Sequence, residues 1–70
     1  MIPLTLANVG NVYTVRKIGG SPEVKKHLEN LGFVAGSNVM IVTEIAGNLV
    51  VKVKEARVAV SRELAQKIMI

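Results

Sequence analysis

The only histidine of the chain, His27, stands four residues after Glu23. On a helix that spacing puts imidazole and carboxylate on one face, within reach of a common cation. A pair of ligands falls well short of the coordination sphere that Fe²⁺ or Zn²⁺ takes, so the pair supports weak Fe²⁺/Zn²⁺ binding at most. The plainer reading makes Glu23 a first-turn partner of the helix dipole and His27 a solvated flank. Nucleophilic catalysis needs a base beside a hydroxyl or thiol and a third group to hold the base. With no Cys, no Asp and one His set between Lys26 and Leu28, the chain has no such set. Ser21, Ser37 and Ser61 fall where turns or helix caps explain them. Gly19-Gly20-Ser21-Pro22 opens a helix, but no Gly-Lys-Ser/Thr phosphate pattern follows, and Glu23 would repel an anion there. The inventory points away from an enzyme, a small-molecule substrate and a resident cofactor.

Charge is the other chemistry on offer. Nine Lys and Arg against five Glu leave a formal charge of +4. Lys52 and Lys54 share one face of a strand, and a turn at Glu55-Ala56 would set Arg57 opposite Lys54. With Arg16, Lys17, Lys25 and Lys26 they make one or two basic areas. Such areas suit an acidic protein face, an anionic lipid surface or nucleic acid. Single-stranded nucleic-acid binders add aromatic stacking platforms, and Tyr13 and Phe33 are the only aromatic residues here. A basic nucleic-acid-binding barrel is therefore the lesser reading. Edge lysines that discourage aggregation are the plain alternative.

The elements that must carry these residues follow from an aliphatic composition. The chain has 70 residues, half of them apolar, with twelve Val, six Ile and six Leu but no Trp. That length fits one domain, 1–70. β-Branched content favours strands. Candidates are Val12–Ile18, Val39–Ile45, Leu49–Lys54 and Arg57–Val60, bounded by Gly10-Asn11, Gly19-Gly20 and Gly47-Asn48. In the third, Leu49, Val51 and Val53 alternate with Lys52 and Lys54, the pattern of a half-buried strand. A turn at Gly47-Asn48 would pair Ala46 with Leu49 and Val42 with Val53. The turn at Glu55-Ala56 would pair Val53 with Val58 and Val51 with Val60.

One helix is clear. Ser21 caps it, Pro22 fits its first position, and Val24, Leu28 and Leu31 form its apolar stripe. Gly32 ends it, and Phe33 falls where a Schellman motif makes its apolar contact, against Leu28. Val34 to Ser37 reads as a turn into the next strand. A second short helix starts at Ser61 and carries Leu64, Ala65 and Ile68. Ile68–Ile70 and Leu4–Leu6 could add short edge strands. Short strands with tight turns, in a chain too small for a sandwich, suggest a mainly β fold: a small barrel with one or two short α-helices inserted. No run approaches the ~20 apolar residues of a membrane span. Met1-Ile2-Pro3-Leu4 lacks the basic start of a signal peptide. We expect a cytoplasmic protein, monomeric by preference.

The order of these signals resembles the FeoA family, small cytoplasmic proteins of bacterial ferrous-iron uptake. Leu6 to Gly10 is similar to the family's opening. Val15-Arg16-Lys17-Ile18-Gly19-Gly20 is similar to its first strand and glycine turn. Leu28-Glu29-Asn30-Leu31-Gly32-Phe33-Val34-Ala35-Gly36 is similar to its most recognisable motif. Val51-Lys52-Val53-Lys54, Arg57 to Val60, then Glu63, Ala65 and Ile68 resemble its closing segment. Glu55 departs from the pattern, standing where the family commonly has Gly. The resemblance implies an SH3-like β-barrel, a domain type also found in iron-dependent repressors of the diphtheria-toxin-repressor type. It implies a partner, the membrane GTPase and Fe²⁺ permease FeoB, and a contact surface at Leu31, Gly32, Phe33, Val34 and Gly36. Lys52, Lys54 and Arg57 stay the candidate basic surface read from the charge pattern. The residues alone read the Leu31–Gly36 stretch equally well as a helix stop and turn.

Overall fold

A computed structural model describes residues 1–70. The alternation around Val51 becomes the central strand β4 (Asn48–Val53), which buries Leu49, Val51 and Val53 and exposes Lys52. It lies between β3 (Asn38–Ile45) and β5 (Ala56–Ser61), and β1 (Val12–Thr14) adds on the far side of β3. All pairings are antiparallel, in the order β1-β3-β4-β5. A second, small sheet joins β2 (Lys17–Ile18) to β6 (Ile68–Met69). Ile2 exchanges two backbone hydrogen bonds with Ile70, at 3.0 and 2.8 Å, and so lines up on the outside of β6.

The expected strand Val12–Ile18 is divided between the two sheets. At the corner, Val15 is 1% exposed and donates its N–H to the Ser37 carbonyl at 2.8 Å. Arg16 donates to the Met69 carbonyl of the other sheet, also at 2.8 Å. A strand that changes sheets is how two small sheets close around one core. The helices are α1 (Pro22–Asn30) and the single turn α2 (Arg62–Ala65), capped by Ser61. Ile68 lies beyond α2, in β6. Leu4–Leu6 forms a 3₁₀ turn rather than a strand, because Leu6 and Ala7 donate back to the Pro3 and Leu4 carbonyls and so aim Leu4 into the core.

Both hairpin turns sit one residue earlier than the composition suggests. The first is Ala46-Gly47, with φ of +50° and +82°, and it pairs Ile45 with Asn48 and Glu44 with Leu49. The second is Lys54-Glu55, with φ of +48° and +64°, and it pairs Val53 with Ala56. Two left-handed residues in a row give the turn whose twist matches the flanking strands. That match outweighs the preference for Gly at those positions. Val51 consequently faces Val58, and Leu49 faces Val60.

A β-bulge at Val42 completes the register. Thr43 lies opposite Val50 but Ile41 lies opposite Val51, leaving Val42 unpaired. Without the extra residue, Val42 and Met40 would continue the inner face. With it, Ile41 and Val39 enter the core and Met40 turns outward. Every buried side chain is apolar, and Phe33 is the only aromatic one among them.

The second turn generates a test. An L-residue in the left-handed region costs about 1–2 kcal/mol, a cost that Gly escapes. Glu55→Gly should raise stability by about 1 kcal/mol, read as a rise in Tm of about 4–8 °C. An unchanged or lower Tm would mean the turn carries no such strain.

Candidate docking surface

Helix α1 is held at both ends by local chemistry. The Ser21 hydroxyl accepts the Val24 N–H at 3.3 Å, and Pro22 occupies the first turn. At the other end Gly32 takes φ +106° and donates to Glu29, while Phe33 donates to Leu28, both at 2.9 Å. These are the two bonds of a Schellman motif. Its apolar contact is complete: Leu28 and Phe33 are both fully buried. Phe33 is therefore an anchor of the core, and its side chain is not available as a contact residue. A partner can reach Leu31 and Val34, which are half-buried, and the exposed backbone at Gly36.

The basic residues lie close by. The register aligns Val12, Met40, Lys52 and Arg57 in one row across the outer face of the sheet. Arg57 thus stands opposite Lys52 and not opposite Lys54, which is taken into the turn. Lys52, Lys54 and Arg57 are all exposed. None of them has a carboxylate within ion-pairing distance; the one salt bridge joins Arg62 to Glu44 at 3.3 Å. Beside Lys52 and Lys54, on the side away from Arg57, runs a cleft of about 270 Å³, lined by Val12, Asn38, Val39, Met40, Lys52, Lys54 and Glu55. Gly32 connects the two areas: a Cβ on it would lie 3.5 Å from Val53 and 3.7 Å from the Lys54 side chain. The end of α1 at Gly32 thus lies against the Lys54 end of the β4–β5 hairpin.

Val12 and Met40 add apolar area that the charge pattern did not reveal. Their signal was present in the alternation Asn38-Val39-Met40-Ile41, where burying Val39 and Ile41 turns Met40 outward. Val12 is 65% exposed.

Glu23 and His27 do share one face of α1, as their spacing requires, and both are exposed. The structure gathers no group of three or more His, Asp or Glu residues around them or anywhere else in the chain. Neither aromatic ring stands free on the basic face. Phe33 is in the core, and Tyr13, paired with the inward-facing Val39, spends its hydroxyl oxygen on the Asn8 N–H at 3.0 Å.

Residues 2–70 match the FeoA domain family. The Fe(2+) transport protein A of Methanocaldococcus jannaschii is 30% identical over 70 residues, covering all of this chain and 85% of that protein. A crystal structure of an iron uptake regulatory protein, FeoA, superposes with a TM-score of 0.89 at 24% identity, covering 97% of this chain and 90% of that one. FeoA of Stenotrophomonas maltophilia, solved in complex with zinc and described as an SH3 domain protein, gives a TM-score of 0.85 at 21% identity, over 99% and 88% of the two chains. The barrel is SH3-like, as the sequence resemblance implies.

The buried position of Phe33 can be checked directly. Truncating a buried Phe costs about 3–5 kcal/mol, as much as a core of this size supplies in total. Phe33→Ala should therefore be largely unfolded by circular dichroism. A stability within about 1 kcal/mol of the parent chain, far below the truncation cost, would remove Phe33 from the core and return it to the contact surface.

Proposed function

The chain belongs to the FeoA family, and from that premise we propose that it is a non-enzymatic accessory protein of ferrous iron uptake that docks on the membrane GTPase and permease FeoB. Family membership gives a role in ferrous iron transport. No helix of the chain is long and apolar enough to cross a membrane, so in this reading the membrane step belongs to the partner and the chain works from the cytoplasmic side.

One observation carries the mode of action: Gly32, at the start of the loop that holds Leu31, Val34 and Gly36, lies against Lys54, one of three unpaired cations with Lys52 and Arg57. Apolar area supplies affinity, and unpaired cations steer an acidic partner and fix its orientation. Chemistry at the site is not required, since regulation of a GTPase needs only a contact that differs between its nucleotide states. An activating role has been raised for the S. maltophilia relative, and the same direction is proposed here. In this reading Fe²⁺ is the cargo of the partner.

Titrating purified FeoB with the chain tests this, with binding and GTP hydrolysis as readouts. The chain should bind and raise hydrolysis. The triple variant Lys52→Glu, Lys54→Glu, Arg57→Glu should weaken binding by about tenfold or more, mostly through a slower association rate that is salt-dependent in the parent. Absence of binding together with unchanged hydrolysis would overturn the proposal.

A further inference from the structure

Strand β5 ends its sheet and pairs with β4 alone. In a two-residue hairpin the pair flanking the turn, here Val53 and Ala56, is hydrogen-bonded, and bonded and non-bonded pairs then alternate. Lys52–Arg57 and Val50–Ala59 are thus the non-bonded pairs. Arg57 and Ala59 turn their backbone N–H and C=O groups away from β4, toward the open edge. No backbone hydrogen bond outside the β4 ladder involves Ala56 to Val60, and both Arg57 and Ala59 are exposed.

The edge is long enough to be used. It runs six residues, about the length of an ordinary strand, with no Pro and no bulge to blunt it. Its side chains alternate in character. Arg57 lies on the outer face with Lys52 directly across, and neither has a carboxylate partner. Val58 points inward and is only half-buried, although Val51 opposite it is fully buried. The flank of Val58 away from β4 is apolar surface at the margin of the core.

We propose that the β5 edge receives an extended acidic segment of a partner protein, which adds to the sheet as a fifth strand. Its acidic side chains lie on the outer face against Arg57 and Lys52. Its alternate, apolar side chains lie on the inner face against Val58 and Val60. Backbone hydrogen bonds to Arg57 and Ala59 supply affinity, and the alternation supplies specificity. Charge selects this occupant over a second copy of the chain. Ala56–Ser61 contains no acidic residue to place against Arg57, and each copy brings a formal charge of +4. The inference does not depend on docking to FeoB and can fail without it.

The test uses the full chain, labelled with ¹⁵N, and a short capped peptide alternating Glu and Val. Binding should shift the β5 amides most and slow hydrogen exchange at Arg57 and Ala59, whose N–H groups are otherwise open to water. Arg57→Glu should weaken binding by about tenfold, the loss of one charge-assisted contact. Ala59→Pro removes an edge donor without touching the ladder and should abolish the exchange protection. Should that variant not fold, the same peptide N-methylated at alternate residues, which cannot form the ladder, makes the test from the other side and should not bind. Equal affinity for the methylated peptide, with shifts confined to Lys52 and Lys54, would overturn the proposal in favour of charge alone. Absence of any saturable shift would overturn it, as would a dimer of the free chain that already protects β5.

Discussion

The inner face of β4 is the constraint on which the rest depends. Leu49, Val51 and Val53 leave the strand no choice of face, because a slip of one residue would expose all three and bury Lys52. Each neighbour must then present apolar residues in register with them. β5 does so directly, with Val58 and Val60 opposite Val51 and Leu49. β3 does so through a bulge. Counting from its turn, a regular ladder would set Val42 and Met40 inside and leave Ile41 and Val39 facing water. The bulge at Val42 brings Ile41 and Val39 inside instead, at the cost of one unpaired residue. It also decides the outer face: Met40 lands beside Lys52 and completes the row Val12, Met40, Lys52, Arg57.

A barrel this small has little stability to spare, and its distribution of polar groups reflects that. No charged or polar side chain is buried, and every buried side-chain N or O atom is satisfied. Desolvating an ion would cost several kcal/mol, a large share of what such a core supplies. Strain is placed in the backbone, at Ala46, Lys54 and Glu55, where left-handed residues let two strands turn within two positions. The long β3–β4–β5 meander that results carries Lys52, Lys54 and Arg57 of the proposed docking surface.

How much of this was legible in the sequence depended on the range of the interaction. The ends of α1 were readable because capping is local: Ser21, Pro22, Gly32 and Phe33 each act within a few residues of themselves. The faces of β4 were readable because a period of two needs no partner to be seen. The turn positions were not. Ala46, Lys54 and Glu55 are poor residues for positive φ, and only the pairing on both sides forces them there. The bulge was hidden for the same reason, as was the corner at Val15 and Arg16, where one run of strand-forming residues serves two sheets. In the site, the membership of Lys52, Lys54 and Arg57 was visible, but their neighbours were not: Arg57 faces Lys52 once the turn moves. The stretch Leu31–Gly36 held two roles that sequence could not apportion, and burial divides them. Phe33 goes to the core, while Leu31 and Val34 remain within reach.

The pairing of Lys52 with Arg57 is the feature that folding alone explains least. Like charges directly across an antiparallel pair are destabilising by a few tenths of a kcal/mol or more. Edge protection accounts for Arg57, since a cation on a terminal strand discourages unwanted pairing. It does not account for Lys52, which sits on a central strand with neighbours on both sides. Nor does either charge form an ion pair within the chain, because the one pair, Arg62 with Glu44, lies at the other end of the sheet. An acidic group brought by another molecule would relieve the repulsion and form two charge-assisted contacts at once. The edge and the basic face are then not alternatives. A cation that repels a second copy of this basic chain also admits an acidic strand, so one residue can disfavour self-pairing and choose a partner.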